Sequence, residues 1–188
     1  PYGRDVRGRA ARAGGWGYLL GDEGGGFWIG RAALTAVVRQ FDGRGPRTLL
    51  TEMVLAEMRL LSPPQLIHAI YVRGLHRYAM ARIPPPAHPP ADGGEAVAAK
   101  TTERAAGELA AAAASVILRL DMRGDSFPTI LAGGIFRGLP SIIGKVAGRI
   151  AEIAPRSDVR QLTAEPAQGA VTLALAAARG PVPIPAYV

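Results

Sequence analysis

The chain has 188 residues, a length that fits one domain or one lobe of a larger protein, and its 48% hydrophobic content is enough for a packed core and excludes global disorder. It contains no cysteine, which removes disulfides, thiolate-bound metals and iron–sulfur clusters and fits a reducing, cytoplasmic compartment. The net charge of +7 rests on 22 basic residues, all arginine except Lys100 and Lys145; they are scattered without runs or interleaved aromatics, so they read as a solvated surface rather than a nucleic-acid interface.

Residues 1–20 read as extended or turn structure, with "ARAGGWGYLL" as a strand entering a loop. From Phe27 the apolar residues Ile29, Ala33, Val37 and Phe41 recur every four positions, which predicts a helix over 27–41 that "DGRGP" ends. A second helix is expected over 48–61. "SPPQ" at 62–65 is a helix start, with Ser62 placed to cap, Pro63 in the first turn and Gln65 completing a capping box. That third helix is expected to turn Leu66, Ile67, Ile70 and Tyr71 inward.

"IPPPAHPPADGG" at 83–94 holds five prolines in the seven residues 84–90, which exclude helix and central strand. A loop or stiff linker with polyproline character is expected there. A long helix follows over about 95–121, with Val97, Leu109, Val116, Ile117 and Leu120 as its larger apolar positions. "PTILAGGIF" predicts a short buried strand running into Gly133 and Gly134. "LPSIIGKVAGRIAEI" predicts an amphipathic helix with Leu139, Ile142, Val146, Ile150 and Ile153 inward and Lys145 and Arg149 outward. "DVRQLT" is a further strand, and a last helix starts near Pro166 and stops before Gly180. The final third is therefore β-α-β-α, the pattern of a parallel sheet with crossover helices, and the fold class is α/β but helix-rich.

Two glycine-rich places carry the chemistry. Residues 13–30, "AGGWGYLLGDEGGGFWIG", hold eight glycines, two tryptophans and the pair Asp22–Glu23. A carboxylate on such a loop is suited to accept hydrogen bonds from sugar hydroxyls. Trp16 can offer a flat face to a sugar ring, and Gly15 and Gly17 let backbone come close. Asp22 serves equally as a cap for the 27–41 helix, and Trp28 is assigned to the core. Gly133 and Gly134 stand where a parallel strand ends, the place where such sheets bind ligands, and a tight strand-to-helix turn explains them as well. The histidines His68, His76 and His88 have no second ligand at useful spacing, so no metal site is expected. No apolar run reaches about 18 residues, the alanine-rich stretch 105–118 being short and interrupted by Glu108, and no signal peptide is visible.

"GGWGYLLGDEGGGFWIG" resembles the signature of the N-acetylglucosamine kinases within the BadF/BadG/BcrA/BcrD-type ATPase family. "TILAGGIF" is similar to that family's adenosine motif and "AQGAVTLAL" to its closing helix, so the resemblance runs in order along nearly the whole chain. It implies a partial ribonuclease-H-like lobe of the actin, hexokinase and Hsp70-like ATPase fold, spanning 1–188 as a C-terminal fragment. It further implies that Gly15, Trp16, Gly17 and Asp22 contact an amino sugar and that Gly133 and Gly134 lie beside adenosine. The sequence departs from the family in four ways. The Asp-Gly-Gly-Gly-Thr and Gly-Thr-Gly-Ser phosphate stretches are absent, and so is the half carrying the catalytic Asp. Gly25 stands where "GDEGS" has Ser, and the proline run replaces a segment the family builds as helix near the nucleotide base.

The resemblance implies that the intact protein uses ATP and Mg²⁺ to phosphorylate N-acetylglucosamine at O6, and that this chain alone is inactive. The expected partner is an amino-sugar substrate, with no nucleic acid or membrane, and a homodimer is left open. Three alternatives stand beside it: an activator ATPase of the same family, a kinase for another sugar such as glucosamine, and a non-catalytic sugar-binding or sensing protein.

Overall fold

The computed structural model describes residues 1–74, 80–83 and 96–180, together with the backbone of 186–187. The predicted loop at 83–94 lies outside these residues except for its first member, Ile83, which is buried.

The chain opens with a hairpin of β1 (Tyr2–Arg4) and β2 (Arg9–Arg12), paired antiparallel with Gly3 opposite Ala11. Its turn is built around Asp5. One carboxylate oxygen accepts the backbone N–H groups of Arg7 and Arg9 at 3.0 and 2.8 Å, and the other accepts Nε of Arg9 at 2.6 Å. Arg9 in turn donates to the carbonyl of Leu120 at 3.0 Å, which ties the hairpin to the long helix. These donors hold the Asp5 carboxyl below the usual carboxylate range against the opposing effect of its burial.

The first helix, α1 (Gly26–Phe41), matches the four-residue apolar spacing and buries Ile29, Ala33, Leu34 and Val37. The helix α2 (Leu50–Met58) is shorter than the 48–61 expected. Arg59 takes a left-handed conformation, φ 52°, and the next N–H closes back on the carbonyl of Leu55, which stops the helix early. The third helix is corrected more substantially. Only α3 (Gln65–Ile67) is α-helical, and it passes into a π-helical turn, His68–Val72. Leu66 is buried, but Ile67 is exposed, and Tyr71 within the π-turn is exposed as well, against the expectation that both turn inward. Ser62 makes no cap; Gln65 Oε1 instead accepts the N–H of Leu61 at 2.7 Å, one residue before the predicted box.

The long helix α4 (Ala96–Arg119) buries mainly small residues: Ala98, Ala105, Ala106 and Ala110. Two buried threonines, Thr101 and Thr102, satisfy their hydroxyls on the carbonyls four residues back, Val97 and Ala98. The strand β3 (Pro128–Leu131) leads through Gly133 into a short helix α5 (Gly134–Gly138), then α6 (Ser141–Ala151) and β4 (Asp158–Gln161). As expected, β3 and β4 run parallel, with Ile130 opposite Arg160. The expectation of a buried strand is corrected, because among the described residues β3 has only β4 beside it and Ile130 is half exposed.

The last helix, α7 (Pro166–Arg179), starts on its proline as anticipated but buries nothing, and Val171, Leu173 and Leu175 are all exposed. The strand β5 (Ala186–Tyr187) adds to β2 in parallel, giving sheets ordered β1-β2-β5 and β3-β4.

Two cores share the helices α1 and α4. One gathers Ile29, Ala105, Ala106, Val116, Ile142 and Ile150 beneath the strands. The other joins Ala33, Val37, Leu50, Val54, Ile83 and Ala98. An ion cluster locks α4 to α6: Glu103 accepts Lys145 Nζ at 2.6 Å and Arg149 Nη2 at 2.5 Å. Both cations face outward as predicted, and their hydrogen bonds, Lys145 first, hold the Glu103 carboxyl below its ordinary range.

Candidate functional site

The loop between β2 and α1 carries most of the sequence-predicted site residues. Gly14, Gly15, Gly17 and Gly24 all have φ between +73° and +87°, a region other residues rarely occupy. Their surroundings separate them into two kinds. A Cβ on Gly24 would stand 2.6 Å from the carbonyl oxygen of Ala105 and 2.7 Å from Leu109, so this glycine is required for the loop to seat on α4. A Cβ on Gly15 or Gly17 would meet nothing within 4 Å, so no packing within the described residues explains them; they leave bare backbone facing open space. The loop between them is nonetheless ordered internally. The carbonyl of Gly17 accepts the N–H groups of Leu20 and Gly21, at 3.2 and 2.8 Å, and Tyr18 meets Phe27 edge-on at 4.9 Å between centroids.

Trp16 is two-thirds exposed, at 67%, with the Arg12 guanidinium 5.3 Å from its ring centroid. Trp28, assigned to the core from sequence, is half-buried against the sub-strand core, with Arg104 over its ring at 5.2 Å.

Asp22 does not cap the helix that follows it, one of the two roles the sequence left open. The helix α1 is capped by Gly25, with no side-chain cap, and Asp22 contributes only its carbonyl, to the Gly25 N–H at 3.1 Å. Its own φ is +58°. Neither a hydrogen bond nor a salt bridge joins its carboxylate to any described residue, and it is exposed. Asp is one of the few side chains that visit this left-handed region routinely, and here it holds an exposed carboxylate on the same loop as Gly15 and Gly17. Gly25, in the place where Ser would supply the cap, leaves α1 without one, a loss of only a few tenths of a kcal/mol.

Gly133 and Gly134 stand at the carboxyl end of β3, where the sequence placed them. Gly133 has φ +132°, and a Cβ on either would meet nothing within 4 Å, so both also leave backbone open. Their neighbours Ala132 and Phe136 line a cavity of about 420 Å³ that sequence reasoning missed. No hydrogen bond or ring contact joins this pair to the 14–22 loop; they are two separate open-backbone features on one framework. Among the described residues no group of three His, Cys, Asp or Glu side chains is placed to hold a metal ion. None of the described helices is long and apolar enough to cross a membrane.

A family model, the BadF/BadG/BcrA/BcrD ATPase family, matches residues 2–174. The chain belongs to this family. Among its relatives, an N-acetylmuramic acid/N-acetylglucosamine kinase of Clostridium acetobutylicum is 31% identical over 173 residues, covering 92% of this chain and 56% of the relative. An N-acetyl-D-glucosamine kinase of Dictyostelium discoideum is also 31% identical, covering 92% of this chain and 55% of the relative. The crystal structure of a candidate N-acetylglucosamine kinase from Chromobacterium violaceum shares the fold, with a TM-score of 0.65 at 24% identity, over 92% of this chain and 54% of that one. The BadF/BadG family and this structural likeness imply an actin- and hexokinase-like ATPase fold, with which the helix-rich architecture and small sheets agree. The chain spans about half the length of the curated relatives it matches.

Proposed function

We propose that this chain is the sugar-binding and adenosine-side lobe, ribonuclease-H-like in type, of a cytoplasmic ATP-dependent kinase that phosphorylates N-acetylglucosamine at O6. The observation that carries the reading is one loop that holds an exposed carboxylate without a cap role, Asp22, and two left-handed glycines that no packing requires, Gly15 and Gly17. The two curated relatives, which share N-acetylglucosamine in their names, support it.

In this reading Asp22 accepts hydrogen bonds from two sugar hydroxyls and so orients the ring. The exposed Trp16 lays its indole against the apolar face of the sugar, with Arg12 steadying the other side of the ring system. The backbone at Gly15 and Gly17 closes on the substituents, since no Cβ intervenes. Gly133 and Gly134 fit adenosine by the same criterion, open backbone at the carboxyl end of a parallel strand. When bound, ATP would supply the phosphoryl group and Mg²⁺ would offset the charge of its phosphates.

Phosphoryl transfer depends on positioning and on charge stabilisation by phosphate loops and metal. The sequence has neither phosphate stretch, and the described residues offer no carboxylate cluster for a metal. The 188-residue chain by itself is therefore a binding lobe. Purified, it should show no ATP-dependent phosphorylation of N-acetylglucosamine, while titration with that sugar should change the fluorescence of Trp16, isolated with Trp28→Phe. A saturable change supports the reading; phosphate transfer by the chain alone, or a flat titration, contradicts it.

A further inference from the structure

A second hollow, an open groove of about 660 Å³, runs between α1 and α4. Cations stand on both of its walls. Arg31 and Arg39 come from α1, eight residues and so about 12 Å apart along the helix. Lys100 and Arg104 come from α4, one turn apart and therefore on one face. None of Gly15, Gly17, Asp22, Gly133 and Gly134 lines this groove.

The four charges are not compensated among the described residues. No described carboxylate lines the groove, and no described ion pair includes any of the four cations. The acidic residues closest in sequence are engaged elsewhere, Asp42 by Arg44 and Glu103 by Lys145 and Arg149. Two of the cations are held by neutral groups instead. Arg39 Nη2 donates to the carbonyl of Arg44 at 3.1 Å, and the Arg104 guanidinium lies 5.2 Å from the centroid of the half-buried Trp28 ring. Such contacts fix a guanidinium in place and leave its full charge to act on the groove. The helix α4 begins at Ala96 on the same wall, so the positive end of its dipole adds to this field. Like charges that converge on a cleft repel one another, and low-dielectric walls focus their field onto an anion.

We propose that this groove binds a small anion carrying a diphosphate group, held between Arg31 and Arg39 on one wall and Lys100 and Arg104 on the other. Its size falls within the range of about 300–1,000 Å³ usual for small-molecule sites, which favours a compact ligand over a macromolecule. Three of the four cations are arginines, whose planar fork matches phosphate oxygens in pairs. Two linked phosphate groups engage both walls at once, which a single phosphate does less well. The inference rests on the groove and its charges, not on the kinase reading.

Isothermal titration of the purified chain with sodium pyrophosphate tests it. One-to-one binding is expected, at least tenfold tighter than that of inorganic phosphate. Arg31→Ala combined with Lys100→Ala should weaken it at least tenfold and retain the melting temperature, since both side chains are exposed. The control removes the same charge elsewhere: Arg73→Ala with Arg123→Ala, both exposed and outside the groove, should leave the affinity within about twofold. Pyrophosphate binding no tighter than phosphate, equal losses in the two double variants, or no saturable heat overturns the proposal. So does tighter, competing binding of an oligoglutamate peptide or a single-stranded oligonucleotide, which would make the groove a macromolecular interface. Competition by ADP separates the sources of the ligand. Displacement of pyrophosphate supports the diphosphate of a nucleotide, and its absence supports the free anion.

Discussion

Gly24 lies so close to Ala105 that a Cβ on it would stand 2.6 Å from the Ala105 carbonyl oxygen. This contact seats the glycine loop on α4 and leaves Gly15 and Gly17 projecting from a fixed base. Gly24→Ala should therefore combine left-handed strain with a backbone clash and cost about 1–3 kcal/mol. Gly15→Ala carries the strain alone. Paired thermal melts should show the larger loss for Gly24→Ala, at about 2–4 °C for each kcal/mol in a chain of this size. Gly15→Ala should instead act on sugar binding.

Acid should weaken the hairpin and the contact between α4 and α6 together. Asp5 and Glu103 both have folded-state pKa values below their unfolded ones, Asp5 through Arg9 and the Arg7 and Arg9 N–H groups despite burial, Glu103 through Lys145 and Arg149. The unfolded chain then binds more protons in the acid range, so stability rises with pH there. Their contribution is complete above the unfolded carboxylate values near about 4, and is lost as pH falls through the lower folded values. Urea melts from pH 7 to pH 3 should show this decline, and Glu103→Gln should flatten part of it.

The core should respond at buried positions and not at exposed ones. Ile142 is fully buried, and Ile142→Ala should cost about 2–5 kcal/mol. Val171 on α7 is 59% exposed, and Val171→Ala should stay within about 0.5 kcal/mol. Denaturant midpoints of the two variants check both values.

The helices were legible because their apolar spacing is met by partners inside the chain: Val37 finds Leu50 and Val54, and Ile150 finds α4. The turn at His68–Val72 was not, because a π-helical turn, in which Tyr71 is exposed, carries no signal in residue type. The strand β3 reads as buried from its apolar composition, yet burial depends on neighbours, and among the described residues it has too few of them. The glycines of the site were visible in sequence, but only the contacts distinguish Gly24, which packs, from Gly15 and Gly17, which do not. The cavity between β1 and β3 was invisible, since it arises from strands that do not meet.

Asp22 as a sugar ligand is the centre of the account, and calorimetric titration of the purified chain with N-acetylglucosamine tests it most directly, with Asp22→Asn alongside. A hydrogen bond to a charged acceptor is worth about 1.5–3 kcal/mol, and about 1.4 kcal/mol is a factor of ten. Asp22→Asn should therefore weaken sugar binding tenfold or more, with an unchanged melting curve because Asp22 caps no helix. Equal affinity of the two proteins for the sugar would contradict the account and return Asp22 to a structural role.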